Sequence, residues 1–184
     1  YGPVMFYIML VPRFLVAWAV PSDPALVTWI HLLAARLPLL AADVAILLLL
    51  IHGLKTEAAR TLLLWWMSPI VLYVTYVHGQ LDLIPTALLL ASLALLFRGR
   101  YAWAAVAVGL GLSTKSHLLV ALPFLAIFVV RREISWLRGA QFAAVALGAY
   151  GASLFPWVLS PGFRAMVFGT EEQQERFLKP FASG

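Results

Sequence analysis

Residues 37–51 read LPLLAADVAILLLLI. Asp43 is the single charge in this run. No polar face returns every 3.6 residues, as it does on a helix that borders water. A stretch of this kind is at home in hydrocarbon, where a helix satisfies every backbone group within its own segment.

Outward from this run the pattern repeats. Of 184 residues, 63% are hydrophobic and 11% charged, against about a quarter charged in soluble domains. The polar residues gather in short clusters between apolar stretches that approach or reach the length needed to cross about 30 Å of hydrocarbon. Pro21-Ser22-Asp23-Pro24 is a breaker. Residues 25–36 read as helix and residues 37–53 as the first convincing span. Lys55 to Arg60 form a polar loop, and residues 61–77 a second span with Pro69 inside it. After the polar knot at residues 78–82 comes a third span, 83–97, closed by Arg98-Gly99-Arg100. Residues 101–113 and 118–130 are 13 residues each, about 20 Å as helix. They are short for spans and fit a hairpin divided at Thr114-Lys115-Ser116-His117. Residues 136–158 form the last span. The chain then turns polar, with Glu171 to Arg176 reading as an exposed helix. The predicted fold is all-α, a polytopic transmembrane helical bundle. Residues 1–36 are expected as outer interfacial helices, 37–158 as the membrane core and 159–184 as an extracytoplasmic loop.

The net charge of +5 does not point to nucleic acid, because the basic residues lie in short loops between spans. Lys55, Arg60, Arg98, Arg100, Arg131, Arg132 and Arg138 fall on one side if the spans alternate, and positive loops stay cytoplasmic. Residues 78–82 and 114–117 then face the other side. Cysteine is absent, which excludes disulfides and thiolate-bound metals. The start at Tyr1 and the end at Ser183-Gly184 are expected of a piece of a longer protein.

Polar residues at membrane depth are costly and commonly serve a site. His78-Gly79-Gln80-Leu81-Asp82 offers an imidazole, an amide and a carboxylate. His78 and Asp82 would share a face if the helix continued; the plain alternative is a polar turn. Thr114-Lys115-Ser116-His117 sets a cation beside two hydroxyls and an imidazole, which suits a phosphate; the alternative is a lysine reaching to water. Asp43 lies seven residues after Arg36 on roughly one helix face, so a structural ion pair is expected. His31 and His52 read as interfacial. Trp65, Trp66, Tyr73 and Tyr76 read first as belt residues, although the two tyrosines approach the His78 knot. No Walker loop, HExxH, GxSxG or dinucleotide fingerprint is present. A divalent metal at the carboxylates is compatible with the sequence, but no ligand spacing indicates one.

Several of these elements together resemble the GT-C superfamily of membrane glycosyltransferases, in its mannosyltransferase-like members. They are Trp66-Met67-Ser68-Pro69, then His78 to Asp82, Arg98-Gly99-Arg100, Gly109 to Lys115, and Pro123. Arg36-Leu37-Pro38 with Ala42-Asp43 resembles the preceding span. Tyr1-Gly2-Pro3 is similar to a Tyr-Pro-Pro segment of the outer face, with Gly in place of the first Pro. The resemblance implies a GT-C-like core that transfers a hexose, mannose by likeness, from a polyprenyl-phosphate donor with inversion, outside the cytoplasm of a plasma or ER-type membrane. It implies catalytic roles for Asp82 and His78, and substrate contacts from Gln80, Thr114, Lys115 and His117. It places the family's principal catalytic Asp upstream of Tyr1. A transporter or lipid flippase is the alternative, since it too uses broken helices and buried polar groups. A membrane scaffold is a third, but would need neither His78 nor Lys115.

Overall fold

A computed structural model describes residues 2–17 and 24–162 of the chain. The breaker at Pro21 to Asp23 and the acidic helix expected at Glu171 to Arg176 lie outside the described residues.

Helices joined by short turns make up those residues, with no strand among them. Helix α1 is Pro3–Ala17 and α2 is Pro24–Leu48, prolonged by a wide turn, Leu49–Gly53. A short α3, Ala58–Thr61, continues as a wide turn, Leu62–Trp66, and α4, Pro69–Leu72, continues as Tyr73–Val77. Then come α5 (Leu83–Phe97), α6 (Tyr101–Thr114), a 3₁₀ turn (Ser116–Val120), α7 (Ala121–Glu133) and α8 (Trp136–Val158).

Three departures from the sequence reading have local causes. The helix of the 37–51 run begins at Pro24 and passes Arg36 unbroken. Charge at Arg36 does not end a helix, and buried Pro38, which gives up its N–H bond and crowds the carbonyl four residues back, is carried inside the helix without ending it. The expected span 61–77 is two helices, Ala58–Trp66 and Pro69–Val77, bent by 48°. Pro69 drives this: the residue before a proline is pushed out of the helical region, and Ser68 is extended at φ −63°, ψ 119°. The third concerns the hairpin. Lys115 is extended at φ −153°, ψ 116° and separates its arms as expected. The second arm, however, runs through the 3₁₀ turn to Glu133, so Arg131 and Arg132 are its last helical turn.

Among the described residues, two helices are long and apolar enough to cross a membrane, Leu26–Gly53 and Trp136–Val158, or three if the bent pair is one span. Leu26–Gly53 has 28 residues, about 42 Å as α-helix. In α8 only 11% of the most apolar window is buried within the protein. Ile70, Val77, Phe124 and Leu64 likewise turn outward. Large apolar side chains exposed in this number exceed what a water-facing surface carries. This is an all-α membrane protein.

Helix α6 sits at the centre, packed by α5 on one side and α8 on the other, with α1 across it. Its sequence is suited to that place, because small residues let helix backbones approach in lipid. Ala104, Ala105 and Gly109 are buried, and a Cβ on Gly109 would lie 2.3 Å from the Ala146 carbonyl of α8. Ser92 Oγ of α5 donates to the Ala104 carbonyl at 2.8 Å, and Ser153 Oγ of α8 to Ser113 Oγ at 2.6 Å. Helix α8 also covers α7. Helix α1 lies across α2, α6 and α8; its Phe6 and Tyr7 meet Trp157, whose Nε1 donates to the Tyr7 hydroxyl at 3.1 Å.

The bundle has two chemically different ends. At one, Arg98 donates to the His52 carbonyl at 3.2 Å, Arg132 to the Leu96 and Phe97 carbonyls at 3.3 Å, and Tyr101 to Glu133. Arginines here satisfy carbonyls at helix C-termini, where a cation is favoured. The other end joins the turn before α5 to the turn after α6.

Candidate functional site

Asp82 immediately precedes α5, and Lys115 immediately follows α6. The structure unites them in an ion pair, Lys115 Nζ to Asp82 Oδ1. Local geometry frees both side chains for it. The Asp82 carbonyl takes the Thr86 N–H at 3.2 Å and the Thr86 hydroxyl at 2.7 Å, while its carboxylate makes no capping bond. The Lys115 N–H closes the last turn of α6 on the Gly111 carbonyl at 3.1 Å, and the extended backbone then turns its side chain away from that helix.

The side chains are 35% and 41% exposed for Lys115 and Asp82. At that exposure an ion pair contributes about 1 kcal/mol or less to stability. Its significance is therefore positional: a carboxylate and an ammonium held together within reach of a ligand.

Asp82 also lines an open cleft of about 190 Å³, together with Gln80, Thr75, Thr86 and Trp65. Pockets that enclose a whole drug-sized ligand span about 300–1,000 Å³, so this cleft takes part of a ligand. Gln80 and Asp82 thus share the cleft, and Lys115 joins through Asp82. His78 and His117 are exposed on their respective turns and do not line it.

The expected helical register between His78 and Asp82 is absent. The chain leaves the helix at His78, whose N–H bonds the Tyr73 carbonyl at 2.8 Å, and reverses at Gly79, φ +77°. That conformation suits glycine and strains most other residues. Thr114 is fully buried, and its hydroxyl donates to the Gly111 carbonyl at 2.6 Å. It shapes the turn from within and does not face the cleft. Its own carbonyl accepts the Gly2 N–H at 3.0 Å. That bond excludes proline, which has no N–H to donate, and a Cβ at position 2 would lie 2.1 Å from the Ser113 carbonyl oxygen, which favours glycine there.

Asp43 and Arg36 do not form the expected ion pair. Seven residues is two turns, about 10 Å along the axis, and nearer partners take both groups. Asp43 is fully buried. Its Oδ1 accepts from Trp65 Nε1 and its Oδ2 from the Tyr76 hydroxyl, both at 2.9 Å. Arg36 donates instead to the Tyr76 main-chain carbonyl. Tyr76 therefore binds both groups, one through its side chain and one through its backbone. Trp65 and Tyr76, read from sequence as belt residues, clasp a buried carboxylate. The available signal was chemical: a mid-span carboxylate needs donors, and only Trp, Tyr and Ser/Thr nearby carry an N–H or O–H on an otherwise apolar body. Trp65 also forms part of the cleft wall, so the Asp43 cluster braces one side of the site.

Among the described residues, no three His, Asp or Glu side chains gather at metal-binding spacing.

The fold and site together are those of an all-α membrane protein with one bent pair of helices and an ion pair at one end of its bundle. The chain belongs to glycosyltransferase family 87, a GT-C-type family, whose model it matches over residues 1–180. No curated protein and no solved structure matches it.

Proposed function

We propose that this chain forms the membrane core of an inverting glycosyltransferase that moves a hexose, mannose foremost, from a polyprenyl-phosphate donor to an acceptor. The spans cross the bilayer several times, and transfer takes place at the extracytoplasmic face. The observation that carries this reading is the Asp82–Lys115 pair beside the cleft. It lies at the bundle end opposite the arginine-rich loops, and positive loops remain cytoplasmic. Membership of a glycosyltransferase family favours transfer over transport.

The acceptor hydroxyl oxygen attacks the anomeric carbon and inverts it. The bond from that carbon to the phosphate oxygen breaks, and its electron pair leaves with the polyprenyl phosphate. A carboxylate takes the hydroxyl proton. Lys115 meets the negative charge that builds on the departing phosphate, where a preorganised cation acts most strongly. Before the donor arrives, Asp82 holds Lys115 in place. Asp82 forms part of the cleft wall and Gln80 supplies an amide to the sugar hydroxyls, while His78 stands exposed at the start of the same turn, beside the cleft.

Transfer from a radiolabelled polyprenyl-phosphate sugar, assayed in membranes, tests this. Lys115→Ala should raise the donor KM more than the acceptor KM. Asp82→Asn should lower turnover while the protein still inserts in the membrane. Equal effects on both substrates, or full activity in both variants, would contradict the assignment.

A further inference from the structure

A second cavity lies at the arginine-rich end, far along the bundle from Asp82 and Lys115. It measures about 250 Å³ and opens between α6, α7 and α8. Its walls are Ala102, Ala105, Val129, Phe142 and Val145, with Tyr101, Arg138 and Gln141 at the polar side. The apolar floor and the single guanidinium belong to one space.

Arg138 differs from Arg98 and Arg132 at this end, and it is the arginine that lines the cavity. Arg98 and Arg132 donate to main-chain carbonyls at helix C-termini, so the fold itself accounts for them. Arg138 lies in the first turn of α8, where the helix dipole disfavours a cation and favours an anion. Its backbone N–H goes to the Ser135 hydroxyl at 3.4 Å, but its guanidinium meets no acceptor among the described residues. The nearby carboxylate, Glu133, accepts the Tyr101 hydroxyl. Around it stand Arg131, Arg132 and Arg138, leaving the neighbourhood positive. Trp103 and Trp136 are 68% and 80% exposed at the same end. Exposed tryptophans mark the headgroup level of a bilayer.

We propose that this cavity binds an anionic phospholipid. The phosphate sits on Arg138 and Gln141 at the start of α8, and one acyl chain lies over Ala105, Phe142 and Val145. A free anion would leave the apolar floor in water. A zwitterionic lipid would bring a second cation into a positive neighbourhood. The site is separate from the glycosyl-transfer reading and does not depend on it.

Native mass spectrometry of the delipidated protein, mixed with equal phosphatidylglycerol and phosphatidylcholine, reads this directly. Phosphatidylglycerol should be retained in preference. Arg138→Ala, at an exposed position, should cut its retention about fivefold, the effect of one basic residue at a membrane surface. Ala102→Trp, at the exposed edge of the cavity, should remove retention of both lipids with helix content unchanged. Excess inorganic phosphate should not compete. Equal retention of the two lipids, retention unaffected by Arg138→Ala, or full competition by phosphate would each overturn the proposal.

Discussion

Asp43 shows how a charge survives at membrane depth. Its two oxygens each take one donor, Trp65 Nε1 and the Tyr76 hydroxyl, at 2.9 Å. Hydrogen bonds to a charged group contribute about 1.5–3 kcal/mol, and a buried group left unpaired costs at least as much. Trp65→Phe keeps the ring and removes the N–H, so it should destabilise by about 1–3 kcal/mol. The check is a lower thermal midpoint in detergent, with Tyr73→Phe, at an exposed ring, as the unaffected control. Equal midpoints for the two variants would mean that the Asp43 bonds contribute nothing. From sequence alone, Asp43 stood out as costly, but its partners lie 22 and 33 residues away. Helical periodicity pointed to Arg36 because periodicity reports only neighbours on one helix. The Asp82–Lys115 pair spans a similar separation, 33 residues. It was foreseeable because both turns were assigned to one end of the bundle and the family resemblance drew them together.

At the scale of elements, α6 and α8 meet where Gly109 leaves room for the Ala146 carbonyl. Gly109→Val should force the pair apart and cost about 1–3 kcal/mol or more, as overpacking does. Gly148→Ala, on α8 with open space around its Cβ position, should be neutral or slightly stabilising. Unfolding midpoints of the two variants test the contrast, and a tolerated valine at 109 would refute the close crossing. Helix existence was readable from hydropathy, and the break at Thr114-Lys115 from the polar residues between two apolar arms. Helix ends were less readable. A charge such as Arg36 or Arg131 changes what a helix faces without ending it, whereas Pro69 interrupts the backbone itself. The Gly79 reversal defeated the helical face drawn from His78 to Asp82, because a positive φ is set by the turn and leaves no trace in side-chain spacing.

For the whole molecule, the division into two ends is the link from fold to function. The absence of cysteine makes single-cysteine variants clean reporters of it. Cysteine at Gln80 should react with an impermeant thiol reagent added outside the cell, and cysteine at Thr56 should not; labelling of 56 but not 80 would invert the orientation. The charge asymmetry was readable because arginines cluster in loops. What composition could not supply was which buried surfaces meet, since nearly every helix is apolar all round. The central claim is that the Asp82–Lys115 turn pair receives the donor phosphate. Donor affinity measures it most directly, with the protein in nanodiscs and a polyprenyl-phosphate sugar as ligand, comparing the parent with Lys115→Ala. Losing one charge-assisted contact should weaken binding about tenfold or more, with acceptor binding unchanged; donor affinity equal in the two proteins would contradict the account.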